Sequence, residues 1–198
     1  MSKKIAASVF AAAFPLAAAA APENFTIDPY HTYPGFEVDH IGYSWMRGRF
    51  DKTTGRMTID IAARTGSVEL TVQTVSLTTG DNERGERPRA RDEHLRTADF
   101  FNVNEFPTMT FKGAATKWSG DAPTEIQGQL TLLGVTRPLT LTVTHWKCGP
   151  DPRTQGKRYM CGGNASGAFK RSDFGMKFGI PSVGDEVKLW LGLEAFRN

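Results

Sequence analysis

The amino-acid sequence predicts a mainly β chain that folds as a single antiparallel barrel of about eight strands, with a short helix over about residues 88–101 capping one end. Three observations predict this fold. Apolar and polar residues alternate with a period of two from about residue 33, turn-rich stretches separate the alternating segments, and only the interval 82–102 lacks the alternation. Because such a sheet buries one face and exposes the other, closure into a barrel is the simplest way to remove its edges.

The alternating segments assign their apolar side chains to one face of the sheet. Trp146 and Trp190 belong to the opposite set, so we expect both to point outward. Exposed aromatic side chains can mark a subunit contact, and a homodimer is therefore left open. The predicted inward set is Phe36, Val38, His40, Met57, Ile59, Ile61, Val68, Leu70, Val72, Met109, Phe111, Ile126, Leu130, Leu132, Leu139, Leu141, Val143, Val187, Leu189, Leu191 and Leu193.

The interval without alternation has the spacing of a helix. Pro88 suits a first helical turn, and His94, Leu95 and Phe101 fall on one helical stripe. Asp92 and Arg96 are four residues apart, which predicts an ion pair on the exposed face. We expect this helix to lie across one end of the barrel.

The amino-terminal segment has the composition of a secretory signal peptide. Two lysines at positions 3 and 4 precede an uncharged, alanine-rich run over residues 5–21. Ala18 and Ala20 supply the small residues of a cleavage site, so we expect residues 1–20 to be removed and residues 21–198 to form one domain. An uncleaved anchor is the alternative.

The charge balance excludes a general attraction to nucleic acid. The chain has 24 basic and 21 acidic residues. Arginines cluster over residues 84–96, but acidic residues are interleaved with them, which indicates a solvated surface rather than an anion site. We expect no nucleic-acid partner.

Two cysteines, Cys148 and Cys161, flank a turn-rich loop between two strand-like segments. In an exported protein such a pair is expected to form a disulfide. The alternative is a metal site with His145 as a third ligand. Zinc sites usually show closely paired cysteines, which this sequence lacks, so we expect no metal.

Catalytic motifs are missing from the sequence. It has no G-x-S-x-G nucleophile elbow and no phosphate-binding loop. His94 and Asp92 are close in sequence, but residues two apart on a helix do not face each other, which argues against an acid–base pair. We therefore expect a protein that is not an enzyme and needs no cofactor, with an enzyme acting on a lipid as the minor alternative.

An ordered series of short motifs extends through nearly the whole chain after the signal peptide. The motifs are Asp28 and His31, Arg47-Gly48-Arg49-Phe50, Arg91-Asp92-Glu93-His94-Leu95, Asp99-Phe100-Phe101, Phe106-Pro107, Leu130-Thr131-Leu132, Gly134-Val135-Thr136, Arg171-Ser172-Asp173-Phe174-Gly175 and Val183-Gly184-Asp185-Glu186-Val187. The most specific part is the block from Arg91 to Phe111. The series resembles the YceI-like family, the lipocalin-like polyisoprenoid-binding proteins of bacterial periplasms.

The resemblance implies a periplasmic barrel that binds, transports or sequesters a long isoprenoid chain of the quinone or polyprenyl type in its lumen. A fatty acid or amide is the alternative ligand. The resemblance also leaves room for transient contact with a membrane or with a membrane protein that delivers lipid. The ligand-binding residues expected on this basis are Phe36, Val38, His40, Leu70, Val72, Phe100, Phe101, Met109, Phe111, Leu132, Leu141 and Phe169.

Overall fold

The alternating segments form eleven antiparallel strands in the computed structural model, which describes residues 21–198. The predicted signal peptide, residues 1–20, lies outside the described residues. The strands are β1 (Glu23–Ile27), β2 (Tyr33–His40), β3 (Ser44–Phe50), β4 (Thr53–Asp60), β5 (Thr65–Gln73), β6 (Leu77–Thr78), β7 (Thr108–Ser119), β8 (Ala122–Leu132), β9 (Val135–Pro150), β10 (Tyr159–Lys170) and β11 (Val183–Arg197).

The eleven strands occupy eight positions around a closed barrel. Strand β11 pairs with β1 near its carboxyl end and with β2 along the rest of its length. In the same way, β1 pairs with β4 and β2 pairs with β3. On the other side, β4 pairs with β5 and β3 pairs with β6. The couples β1 and β2, β3 and β4, and β5 and β6 therefore each act as one interrupted strand. The pairing of β1 with β11 closes the sheet. The predicted eight-stranded antiparallel barrel is confirmed.

The barrel has two different ends. The turn at residues 41–43, the segment 74–107, the turn at residues 133–134 and the loop 171–182 lie at what we call the lid end. The turns at residues 61–64 and 120–121 and the loop 151–158 lie at the opposite end, with both termini of the described chain. We call this the far end.

A disulfide joins two neighbouring strands near the far end. Cys148 of β9 and Cys161 of β10 are paired directly across the ladder and are bonded, with a Cα–Cα distance of 4.0 Å. Cys161 is fully buried in the core. The predicted disulfide is confirmed.

One β-bulge changes which side chains face inward. The register of β9 and β10 shifts between Asn164 and Ala165, which pair with His145 and Val143. The extra residue, Thr144, reverses the alternation for the rest of β9. Trp146 consequently packs against the hydrophobic core, so the prediction that it points outward is wrong. Trp190, by contrast, is 40% exposed.

The helix at the lid end is much shorter than predicted. It comprises only α1 (Arg91–Leu95), because Ala90 before it is extended and the chain after Arg96 forms a series of turns. These turns deliver Phe100 and Phe101 to the core. None of the helices within residues 21–198 has the length and apolarity that a bilayer crossing requires.

The buried Asp92 side chain anchors α1 to the loop that precedes it. It is 1% exposed, and its Oδ1 accepts hydrogen bonds from the backbone N–H of Thr79, at 2.8 Å, and from the Thr79 hydroxyl. The predicted ion pair with Arg96 does not form. Arg96 instead donates to the carbonyl oxygens of Val75 and Leu77, because both side chains are drawn toward the preceding loop.

Replacing Asp92 by Ala is expected to lower the free energy of unfolding by about 1–3 kcal/mol, because the part-buried Thr79 N–H and hydroxyl lose their acceptor. Chemical denaturation measures the change. Glu93→Ala is the matched control, since Glu93 lies on the same helix with its side chain in solvent. Equal effects of the two substitutions would contradict the anchoring role of Asp92.

Candidate functional site

An apolar cavity occupies the half of the barrel beneath the lid. The space between its lining side chains is about 1060 Å³ when the mouth is included, and about 140 Å³ of this is wide enough to hold the centre of a water molecule. The volume of about 140 Å³ is the one to compare with other binding cavities, and it is smaller than the range of about 300–1,000 Å³ for small-molecule sites.

Eleven of the twelve residues predicted from the sequence to bind a ligand line this one cavity. They come from β2, β5, β7, β8, β9 and β10 and from the segment after α1, so residues far apart in sequence converge here. The eleven are Phe36, Val38, Leu70, Val72, Phe100, Phe101, Met109, Phe111, Leu132, Leu141 and Phe169.

His40 is the exception. It is the last residue of β2, its side chain is exposed, and it is not among the residues that line the cavity. The register irregularity at this point lies in β11, between Val183 and Val187, whereas β2 pairs regularly with β3, so His40 is exposed because it ends β2 at the rim of the barrel. The prediction that His40 lines the lumen is therefore wrong.

Aromatic rings form the wall and roof of the cavity at the lid end. Phe50 and Phe101 pack edge to face with centroids 5.4 Å apart, and Phe36 lies 5.9 Å from Phe50. Phe100 packs edge to face on Phe178 at 5.4 Å. Phe178 belongs to the loop 171–182, so the roof is shared between two separate segments. Sequence reasoning missed Phe50 and Phe178.

Almost no polar surface faces the cavity. Of the residues within 21–198 that line it, only Thr110 and Arg171 carry a hydroxyl or a charge. The Arg171 guanidinium donates hydrogen bonds to the carbonyl oxygens of Met176, Val183 and Gly184, at 2.8–3.1 Å, which directs its nitrogens toward the backbone. Arg171 thus fixes the loop at the lid end.

Burial lowers the pKa of the Arg171 guanidinium, and the nearby Asp185 carboxylate partly offsets this effect. For Asp185, desolvation acts to raise the pKa, but hydrogen bonds from the Ser172 N–H and hydroxyl outweigh it, and the pKa lies below its usual value. Both groups thus make their hydrogen bonds within the segments of the lid end rather than toward the cavity.

A second apolar cavity lies below the first, toward the far end. Only about 50 Å³ of its space is wide enough to hold the centre of a water molecule, and it is lined by residues such as Met57, Ile126 and Trp146. Four side chains line both cavities and so form a partition between them. We call them the partition residues: Leu70, Phe111, Leu141 and Leu191.

Phe111 dominates the partition because two glycines make room for its ring. A Cβ placed on Gly113 or Gly128 would lie 2.8 or 2.6 Å from the Phe111 ring, closer than real Cβ contacts. The two glycines are paired directly across β7 and β8. The two glycines are visible in the sequence, but only the cross-strand register of β7 and β8 shows that both lie under the Phe111 ring.

His94 is paired with a carboxylate, although not with the one considered from the sequence. Its Nε2 lies 2.8 Å from Asp99 Oδ2 and 2.6 Å from an Arg89 nitrogen. The His94 ring also packs on Phe100 and Phe178. His94 does not line the cavity. This cluster therefore holds the roof together and has no access to a ligand tail.

Asp28 and His31 lie outside the barrel, away from the cavity. His31 Nδ1 is 2.7 Å from Asp28 Oδ2 and 3.9 Å from Glu194 Oε2. The three side chains are near enough to hold a metal ion. An Arg153 nitrogen also lies 3.4 Å from Glu194, however, and the Asp28 N–H donates to the Glu194 carbonyl. These contacts fasten the turn between β1 and β2 to β11.

The sequence matches the model of the YceI-like domain over residues 25–195. It is 35% identical to the UPF0312 protein of Pseudomonas aeruginosa strain LESB58, over the full length of both chains. It is also 35% identical to the protein YceI of Shigella flexneri, again with full coverage of both.

Solved structures with the same fold include BcnA of Burkholderia cenocepacia, with a TM-score of 0.63 and 21% identity over 85% of this chain and 98% of that one. A polyisoprenoid binding domain from Saccharophagus degradans has a TM-score of 0.60 and 16% identity, covering 88% of this chain and 98% of that one. The fold, the ordered motifs and the full-length relatives agree, and the chain belongs to the YceI-like family.

Proposed function

We propose that this protein binds a long isoprenoid lipid, with the apolar tail inside the barrel and the polar headgroup at the lid end. The observation that carries the proposal is the cavity beneath the lid, which is lined by apolar side chains and almost free of polar surface. A headgroup placed inside it would lose its hydrogen bonds to water and gain none. The headgroup therefore stays outside.

The energetics of such a cavity favour a tail of several prenyl units. Each buried methylene contributes about 0.8 kcal/mol, so a five-carbon unit gains roughly 4 kcal/mol before the cost of ordering the chain. Binding of this kind needs no specific polar contact. Affinity is then set by the length and shape of the tail.

The polyisoprenoid binding domain from Saccharophagus degradans supports the proposal, because it has the same fold as this chain. We further propose that the protein acts in the periplasm as a carrier or store of the lipid. The predicted signal peptide and the disulfide between Cys148 and Cys161 are the features that support this location.

Binding, rather than catalysis, is the activity that the site supports. A catalytic pair would have to reach the ligand, but the pair of His94 and Asp99 lies outside the cavity. No serine or cysteine lies among the lining residues within 21–198. The ligand is thus expected to leave the protein chemically unchanged.

The proposal is tested by native mass spectrometry of protein purified from its own organism, followed by solvent extraction and identification of the released lipid. Recovery of a quinone or a polyprenyl lipid at one molecule per barrel is the expected result. Recovery of fatty acids or fatty amides alone would replace the isoprenoid with the alternative ligand. An empty protein that binds neither class would contradict a lipid-binding role.

Val72→Trp is expected to weaken the binding of geranylgeraniol about tenfold, equivalent to about 1.4 kcal/mol, because the indole fills space that the tail would occupy. Val72 lines the cavity from β5. Thr71→Trp is the matched control, since its side chain projects from the opposite face of the same strand. Fluorescence titration gives both affinities, and an unchanged affinity of Val72→Trp would show that the tail binds elsewhere.

Phe111→Leu is expected to open the partition between the two cavities and to shift specificity toward longer tails. We expect the affinity for solanesol relative to geranylgeraniol to rise about tenfold, because a longer tail can then extend into the lower cavity. Competition titration measures the ratio. Phe169→Leu serves as the control, because Phe169 lines the upper cavity but not the lower one. An equal ratio in both variants would contradict a partition role.

A further inference from the structure

Exposed apolar side chains are concentrated at the lid end of the barrel. Eight large apolar residues within 21–198 are exposed, and only Tyr30 and Trp190 lie elsewhere. Tyr43, at the tip of the β2–β3 hairpin, is 90% exposed. The six at the lid end, which we call the apolar rim, are Ile41, Tyr43, Trp45, Val75, Phe178 and Ile180.

The rim is continuous with the roof of the cavity. The backbone N–H of Ile41 donates to the Ser182 carbonyl at 2.7 Å, so the hairpin tip is joined to the loop that carries Phe178 and Ile180. The Phe178 ring in turn packs on Phe100, which lines the cavity. An apolar path therefore leads from the outer surface to the lumen.

Ile41 has a backbone conformation that its side chain opposes. It occupies the first central position of a tight turn with φ of 52°, followed by Gly42 with φ of 75°, and the Tyr43 N–H donates to the His40 carbonyl. This is the hairpin turn in which Asn-Gly is strongly preferred, and a β-branched residue there is strained. Leu133 has a similar φ of 51°, but it packs against the hydrophobic core. Ile41 is 53% exposed, so packing does not account for it.

We infer that the apolar rim docks the lid end onto a phospholipid bilayer, with Ile41 and Tyr43 entering the interface. This inference rests on the proposed function, because a tail of several prenyl units exposes a large apolar surface to water whenever it leaves a membrane unaided. Direct contact between the mouth and the bilayer avoids that exposure. The strained backbone conformation of Ile41 is then explained by the contact of its exposed side chain with the bilayer, rather than by packing within the protein.

The composition of the rim favours a bilayer over a protein partner. Tyrosine and tryptophan are enriched at membrane interfaces, where an apolar ring and a polar group face different surroundings. Tyr43 and Trp45 provide such rings, and the Lys188 ammonium lies 3.7 Å from the Trp45 ring. Lys177 precedes Phe178 and is exposed. The rim thus consists of separate projecting tips with adjacent cations, as interfacial insertion requires.

Flotation of the protein purified from cells, with vesicles of phosphatidylethanolamine and phosphatidylglycerol, tests the inference. Ile41→Asn and Tyr43→Ser are each expected to reduce the vesicle-bound fraction about fivefold. Ile41→Asn is also expected to raise the midpoint of thermal unfolding by about 3 °C, because it removes the strained residue. Lower vesicle binding together with a more stable fold cannot arise from misfolding.

Tyr30→Ser is the matched control, because Tyr30 is 78% exposed but lies away from the lid end. It is expected to bind vesicles like the unmodified protein. Unchanged binding by Ile41→Asn and Tyr43→Ser, or an equal loss with Tyr30→Ser, would overturn the inference. Loss of a solution dimer in the rim variants, without vesicle binding by any form, would assign the rim to a protein contact and would also overturn it.

The affinity for geranylgeraniol in solution separates this inference from the proposed function. If the rim docks on membranes, Ile41→Asn leaves that affinity unchanged while it slows transfer of the lipid from vesicles to the protein. If no form binds geranylgeraniol, the proposed function fails. If every form binds it and takes it up from vesicles at one rate, only the docking surface fails.

Discussion

The pairing of β1 with β11 is the constraint on which the rest of the structure depends. It closes the sheet, and closure gives each strand an inside and an outside, so the alternation in the sequence becomes an apolar lumen and a polar surface. A barrel of eight strands can be filled by its own side chains. Here an apolar cavity remains beneath the lid, and a smaller one remains toward the far end.

The lid end combines polar anchors with an apolar inner surface, two properties that a core filled by its own side chains does not need. Its roof is built from rings on separate segments, held by polar anchors such as Asp92 and Arg171 that bond to backbone groups. The cavity side of that roof is left apolar. Polar groups at this end therefore fix the geometry without reducing the affinity of the lumen for hydrocarbon.

Much of this arrangement could be predicted from local pattern, because period-two alternation specifies which side chains share a face. Eleven of the twelve predicted ligand residues line one cavity for that reason. The errors occurred where the period breaks or the strand ends. A bulge at Thr144 turned Trp146 inward, and His40 lies outside because β2 ends there. The length of the helix was overestimated, because the turns after Arg96 bring Phe101 to the core at the same residue spacing as a helix would. The partition at Phe111 depends on cross-strand register, which one strand alone does not reveal.

The most direct test of the central claim is to locate a bound tail inside the barrel by nuclear magnetic resonance. In a complex with geranylgeraniol, intermolecular contacts from the prenyl methyl groups to Val72, Leu132, Leu141 and Leu189 are predicted, with the hydroxyl end near Phe178. Contacts confined to the outer surface, such as the groove beside His145 and Lys147, would contradict the account.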